Sequence, residues 1–148
     1  MAVAGAGQAS AEIGQLAEEV GRLLAVAGVV VVTGGLGGVM EAASRGAAQA
    51  GGQVVAIVPG ESRQAATPHA TAVVATGTGQ GRNLALAATC DGMIAVGGEW
   101  GTLSEIALAG KLGRPVVALA GWDVRGVELA ADPADALARL FARLRPSS

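Results

Sequence analysis

A chain of 148 residues with twelve acidic and ten basic side chains carries a net charge of −2, and its arginines are scattered, so it lacks the basic footprint of a protein that holds duplex DNA or an anionic membrane. Its length is that of one domain, residues 1–148, with a core of its own, and although 51% of the residues are hydrophobic, the longest apolar runs are strand-length and too short to cross a bilayer. Two Trp, one Phe and no Tyr make no platform of stacked rings for single-stranded nucleic acid, the lone Cys90 closes no intramolecular disulfide, and Met1 to Gly5 has neither the basic stretch nor the apolar core of a signal peptide.

The expected location is therefore the cytoplasm, with neither nucleic acid nor membrane as partner. In chain order, apolar runs and helical periods alternate, as expected of an α/β fold in which a parallel sheet is covered on both faces. Val3 to Gly5 reads as a first strand, and Ser10 as the cap of a helix whose Ile13, Leu16, Ala17, Val20, Leu23 and Leu24 recur at helical spacing up to Gly28. Val29 to Val32 is a β-branched strand, followed by an Ala-rich helix from Val39 to about Ala50 with Gly46 inside it. That glycine permits close approach to the sheet or to a second subunit.

Val54 to Val58 is a third strand. Gly60 to Pro68 has turn composition and no period, which makes it the expected mobile loop. Thr71 to Ala75 is a weaker strand, Asn83 to Thr89 a short helix, Met93 to Val96 a buried strand, Thr102 to Leu112 a helix and Val116 to Ala120 a strand. The terminal helix, Pro133 to Leu144, opens with Asp132 as cap and Pro133 in the first position. Arg139, Arg143 and Arg145 lie about one turn apart and read as a solvated face.

The chemistry concentrates in three glycine-rich turns, Thr33 to Gly38, Gly77 to Gly81 and Gly97 to Thr102, each between an apolar run and a helical pattern. Glycine lets the backbone approach a ligand, and the following helix offers free N–H groups to an anion. Turns at the carboxyl ends of parallel strands are where open α/β sheets bind ligands. The candidate contacts to a phosphorylated ligand are Gly34, Gly35, Gly37, Gly38, Gly79, Arg82, Asn83, Gly98, Trp100, Gly101 and Thr102.

Other chemistries lack their residues. One His and one Cys make no zinc site and no metal ligand set is expected; no Gly-x-Ser-x-Gly elbow and no glycine followed by Lys-Ser or Lys-Thr is present. Gly5-Ala6-Gly7 is half of a dinucleotide fingerprint, with Ser10 where the third glycine belongs. It reads as a tight turn near the ligand. Arg82 opens a helix beside a glycine turn, where a guanidinium forks onto phosphate or carboxylate. Thr102-Leu103-Ser104-Glu105 matches a capping box as well as a ligand loop.

Val32 to Glu41 together with Gly98 to Glu105 resembles the paired motifs of the LONELY GUY-like Rossmann superfamily, and within it the short bacterial branch similar to molybdenum-cofactor carrier proteins. The likeness runs from Val3 to about Ala120 and takes in Thr76 to Gly79 with Arg82-Asn83. It implies a single Rossmann-like doubly wound domain, self-association into a homo-oligomer, and no cofactor requirement beyond a bound ligand, either an AMP-like nucleotide or the molybdenum cofactor.

The cytokinin-activating members of that superfamily hydrolyse the N-glycosidic bond of nucleoside 5′-monophosphates with an Arg and with the Glu that ends Pro-Gly-Gly-x-Gly-Thr-x-x-Glu. Those positions fall on Arg82 and Glu105, the catalytic pair if the chain is an enzyme. The carrier branch implies binding without turnover. Gly97 replaces the motif's Pro, Glu99 replaces a Gly and Ser104 stands where the enzymes commonly carry another Glu. A carboxylate about 4 Å from a phosphate repels it by roughly 4 kcal/mol at an effective dielectric of about 20, so Glu99 either turns away or meets something other than phosphate. Trp100 beside it is suited to lid a flat heterocycle.

Overall fold

Each apolar run becomes a strand of one parallel sheet, and each helical stretch returns the chain across one of its faces. The computed structural model describes residues 1–146. In chain order the elements are β1 (Ala2–Gly5), α1 (Ala11–Val26), β2 (Val31–Thr33), α2 (Val39–Gln49), β3 (Val54–Val58), β4 (Ala72–Ala75), α3 (Arg82–Thr89), β5 (Met93–Val96), α4 (Trp100–Lys111), β6 (Val116–Leu119), β7 (Glu128–Ala130) and α5 (Pro133–Leu144). Short 3-10 turns occupy Arg63–Ala65 and Gly79–Gly81.

The strand order is β4-β3-β2-β1-β5-β6-β7, with every pair parallel. From β1 the chain winds outward through β2, β3 and β4, then crosses back to lay β5 on the other side of β1, in register from Ala2 opposite Met93 to Gly5 opposite Val96. Connections on either side of that crossover leave in opposite directions, which opens a crevice at the carboxyl ends of β1 and β5.

Both faces are covered, so the strands read as unbroken apolar runs. Val3, Val31, Ile94, Val96, Val117 and Leu119 face α1, α2 and α5, while Ala2, Ala4, Val32, Met93, Ala95 and Val116 face α3 and α4. The helices α1 and α2 pack with backbones nearly touching: a Cβ at Gly21 would collide with the Ala43 carbonyl oxygen, and one at Gly46 with that of Glu18. The small residues of α2 thus serve α1 of the same chain, and Gly46 gives no argument for a second subunit. Ser10 and Asp132 cap α1 and α5, accepting from Ile13 N and Asp135 N.

Three expectations need correction. β7 carries no sequence signal, being a three-residue edge strand whose Leu129 is exposed. The loop after β3 is tied to the body, since Thr67 is buried and its N–H donates to the Gly35 carbonyl at 2.7 Å. And α4 begins at Trp100, with Glu99 as its cap, so the capping box joins Glu99 and Thr102 instead of Thr102 and Glu105. The Thr102 hydroxyl accepts the Glu99 N–H at 3.4 Å. That earlier start places Glu105 one turn further into the helix, on its buried side.

No described helix is long and apolar enough to cross a membrane. Arg139 and Arg143 lie on the exposed face of α5 and pair with Asp135 and Glu128.

Candidate functional site

At the crossover lies a cleft of about 240 Å³. Its walls come from four connections: Gly5, Ala6 and Gly7 after β1; Leu36 and Met40 from the turn into α2; Gln80, Arg82 and Asn83 at the start of α3; and Gly101, Thr102 and Glu105 in the first turns of α4. A larger groove of about 470 Å³ borders the starts of β6 and β7 and contains none of the predicted site residues. The smaller cleft is the candidate because it sits at the topological switch and brings Arg82 and Glu105 together.

Arg82 is partly buried. Its Nη1 donates to the carbonyls of Gly34 and, at 2.9 Å, of Ile57, and its Nε donates to Asn83 Oδ1 at 3.0 Å. The guanidinium therefore fastens α3 to the ends of β2 and β3. Burial lowers its pKa and the Glu105 carboxylate opposes that shift. Asn83, itself buried, donates through Nδ2 to Ser104 Oγ at 3.3 Å and so links α3 to α4.

Glu105 is 5% exposed, and among the described residues no ion pair reaches it. Desolvation pushes its carboxyl up to about 7, with Arg82 pulling in the other direction. At neutral pH this group stands between its acid and carboxylate forms, which is where a general acid, a general base or a switchable hydrogen-bonding group is most useful.

The glycines divide by what they touch. A Cβ at Gly34 would lie 2.6 Å from both Arg82 Nη1 and Met40 Sδ, one at Gly35 would lie 2.7 Å from Val58 Cγ1, and one at Gly38 would strike the Ala6 carbonyl oxygen. Gly38 also has φ +61°, a conformation costly for a residue with a side chain. The Val39 N–H next to it donates to Ala6 O at 3.0 Å, which welds the first glycine turn to the turn after β1. Protein packing thus accounts for Gly34, Gly35 and Gly38, and none of them, nor Gly37, lines the cleft. Thr33 and Ser44 brace the same turn through their hydroxyls, 3.3 Å apart, with Thr33 Oγ1 accepting from Gly35 N at 3.1 Å.

Gly101 lines the cleft with nothing within 4 Å of where its Cβ would stand, so there the backbone is bare toward open space. Gly79 is equally open, but Gln80 beside it is the residue that lines the cleft. Gly98 is covered by Trp122, whose Cδ1 is 2.6 Å from the position its Cβ would take. Trp100 is 77% exposed and faces Trp122, ring centroids 5.6 Å apart, while Trp122 Nε1 donates to Glu99 O at 3.1 Å. Trp100 accordingly stands on the outer rim and does not line the cleft. Glu99, as cap, faces the amino terminus of α4 with its own carboxylate, which resolves how a charge fits in that loop: it meets its own helix.

Sequence reasoning missed Leu36, Met40 and Gln80 as cleft residues; the first two reach it because α2 abuts the turn after β1. Cys90 is buried at the carboxyl end of α3, and burial raises its thiol pKa. Among the described residues no three His, Cys, Asp or Glu side chains gather to hold a metal ion.

A parallel sheet wound outward from β1 in both directions, with its cleft at the crossover, defines a Rossmann-like α/β protein. The model of the SLOG cluster4 family matches residues 1–142, and the chain belongs to that family, within the LONELY GUY-like superfamily to which its motifs point. The chain is similar in structure to the molybdenum cofactor binding protein of the phototrophic bacterium Rippkaea orientalis, with a TM-score of 0.92 and 32% identity over 97% of this chain and 96% of that one. It is also similar to the molybdenum cofactor carrier protein of Chlamydomonas reinhardtii, with a TM-score of 0.89 and 33% identity over 97% and 96% of the two chains. An uncharacterised protein of Archaeoglobus fulgidus is 44% identical over 117 residues, which are 79% of this chain and 77% of that protein.

Proposed function

We propose that the protein binds the molybdenum cofactor, a phosphorylated pterin, in the crossover cleft and carries it without turnover. The observation that carries this reading is likeness over 97% of the chain to proteins that bind or carry that cofactor. The cleft's chemistry is compatible. Gly101 leaves backbone open to a ligand, Gln80 offers an amide, and the buried Glu105 has no ion-pair partner among the described residues, so a flat heterocycle with N–H groups finds both space and an acceptor. When bound, the cofactor supplies the metal and its sulfur ligands; the residues here hold the organic part. A phosphate is directed away from Glu99 and Glu105 toward the turns before α1 and α3. Cytoplasmic residence and self-association belong to the same proposal.

A second reading, hydrolysis of nucleoside 5′-monophosphates, is favoured by one observation: a carboxyl held near pH 7 in a cleft beside an arginine. Such a group, when ionised, stabilises the oxocarbenium-like sugar that N-glycosidic cleavage develops. Against it, Arg82 is already committed to two backbone carbonyls and Asn83, which leaves less of it to hold a substrate.

Chromatography of a nucleoside 5′-monophosphate panel after incubation, with the Glu105→Gln variant alongside, separates the two. Intact nucleotides are expected. Free base that disappears in the variant would replace the carrier by a ribohydrolase.

A further inference from the structure

Glu105 is a buried carboxyl that no described side chain pairs with, and it lines an open cleft. Among the described residues the fully enclosed polar atom without a partner is Arg114 Nε, so the Glu105 oxygens are not sealed away. They face the cleft. The other charged side chain on its walls, Arg82, turns three of its five N–H donors to Gly34, Ile57 and Asn83 and none to Glu105. A carboxylate this poorly hydrated is costly, and a ligand that supplies donors recovers part of that cost.

We infer that Glu105 reads two parallel N–H groups on the edge of the ligand's ring, so that the cleft selects the 2-amino-4-oxopyrimidine ring shared by pterins and guanine over adenine. This inference rests on the carrier reading of the same site. A carboxylate has two oxygens and only accepts, so it complements an edge that presents two donors side by side. Pterin and guanine have that edge in their 2-amino group and the neighbouring ring N–H. Adenine sets a ring acceptor next to its amino group, which would turn a lone pair onto a carboxylate oxygen.

Size and charge agree on the orientation. At about 240 Å³ the cleft is smaller than most whole-ligand sites, so it takes one end of an elongated ligand. A phosphate at that end would lie against Glu105 and be repelled. The ring therefore enters and the phosphate remains at the mouth. Two charge-assisted hydrogen bonds to the ring also favour the carboxylate form, which links binding to pH. Arg82 on α3 is the titratable group that faces Glu105 across the cleft; the walls from the turn after β1, from α2 and from the first turn of α4 contribute Gly5 to Gly7, Leu36, Met40, Gly101 and Thr102, none of which titrates.

The test is a calorimetric titration of the wild-type chain and Glu105→Gln with four probes: a pterin phosphate, the matching lumazine phosphate with oxygen in place of the 2-amino group, guanosine 5′-monophosphate and adenosine 5′-monophosphate. The wild type should bind the pterin and guanine probes at least about tenfold tighter than the other two, a modest outcome for a site that matches hydrogen-bonding edges. The preference should vanish in the variant, and wild-type affinity for the pterin should fall as pH drops below 7. Thermal melting of the variant verifies that it is folded. Equal binding of all four probes by the wild type would overturn the edge reading and leave the carrier proposal standing. Preference for adenosine monophosphate, or cleavage of it, would overturn both.

Discussion

Glu105→Gln should make the protein more stable, and by an amount that depends on pH. Burial raises this carboxyl from 4.5 to about 7, and each unit corresponds to about 1.4 kcal/mol, so ionising it in the folded chain costs about 3 kcal/mol relative to the unfolded chain. Below pH 4.5 both states hold the proton and the penalty is absent. Between 4.5 and about 7 the unfolded chain has released its proton while the folded one retains it, and stability declines as pH rises. Above about 7 the full cost is present. The glutamine amide keeps the shape and the polarity without the charge, so the variant should track the wild type near pH 4.5 and exceed it at pH 8. For a chain of this length 1 kcal/mol moves the melting temperature by roughly 2–4 °C, which sets the expected gap at pH 8 at roughly 6–12 °C by the same relation. Calorimetric melting of both proteins across that pH range, without ligand, reads it directly. A gap of the same size at both ends, or a variant less stable at pH 8, would refute the desolvated carboxyl.

Gly46→Ala should destabilise by about 2 kcal/mol through overpacking against the Glu18 carbonyl. Gly14→Ala, in the same helix pair but with open space at its Cβ, should stabilise by about 1 kcal/mol from helix propensity alone; denaturant midpoints of the two variants should move in opposite directions. Arg82→Lys keeps the charge but loses the forked contacts to Gly34, Ile57 and Asn83, and urea unfolding should show a loss of about 1–3 kcal/mol. Trp100→Ala should leave ligand affinity unchanged, since the ring lies outside the cleft against Trp122; a clear loss in a fluorescence or calorimetric titration would return Trp100 to the site. Light scattering at micromolar protein should show an oligomer, and a uniform monomer would rule out self-association.

The sheet was legible because the inner strands are buried on both faces and so appear as apolar runs, as in Met93 to Val96, which Gly97 stops. The edge strand β7 was not, because three residues with an exposed Leu129 leave no pattern to read. Arg82 and Glu105 stood out through their motifs and do share a cleft. What each glycine makes room for is not written in the sequence, because whether a missing side chain admits a ligand or protein depends on which atoms come to lie beside it. Gly34 makes room for Arg82, far away in sequence, and for Met40 in the helix that follows its own turn, whereas Gly101 faces open space. The second motif contains both kinds, since Trp122 covers Gly98 while Gly101 is open. The cap at Glu99 was hidden because Thr102 and Glu105 satisfy the spacing of a capping box equally well, and only the backbone at Glu99, extended at φ −125° and ψ 175°, shows where the helix begins.

Carriage of the cofactor is tested most directly by mixing the purified protein with molybdenum cofactor released from a donor enzyme, passing the mixture through a desalting column, and quantifying the oxidised pterin by fluorescence together with molybdenum by mass spectrometry. Pterin and molybdenum should elute with the protein, and bound pterin should remain intact on prolonged incubation. Pterin left wholly in the small-molecule fraction, with protein shown to be folded by melting, would contradict the carrier role.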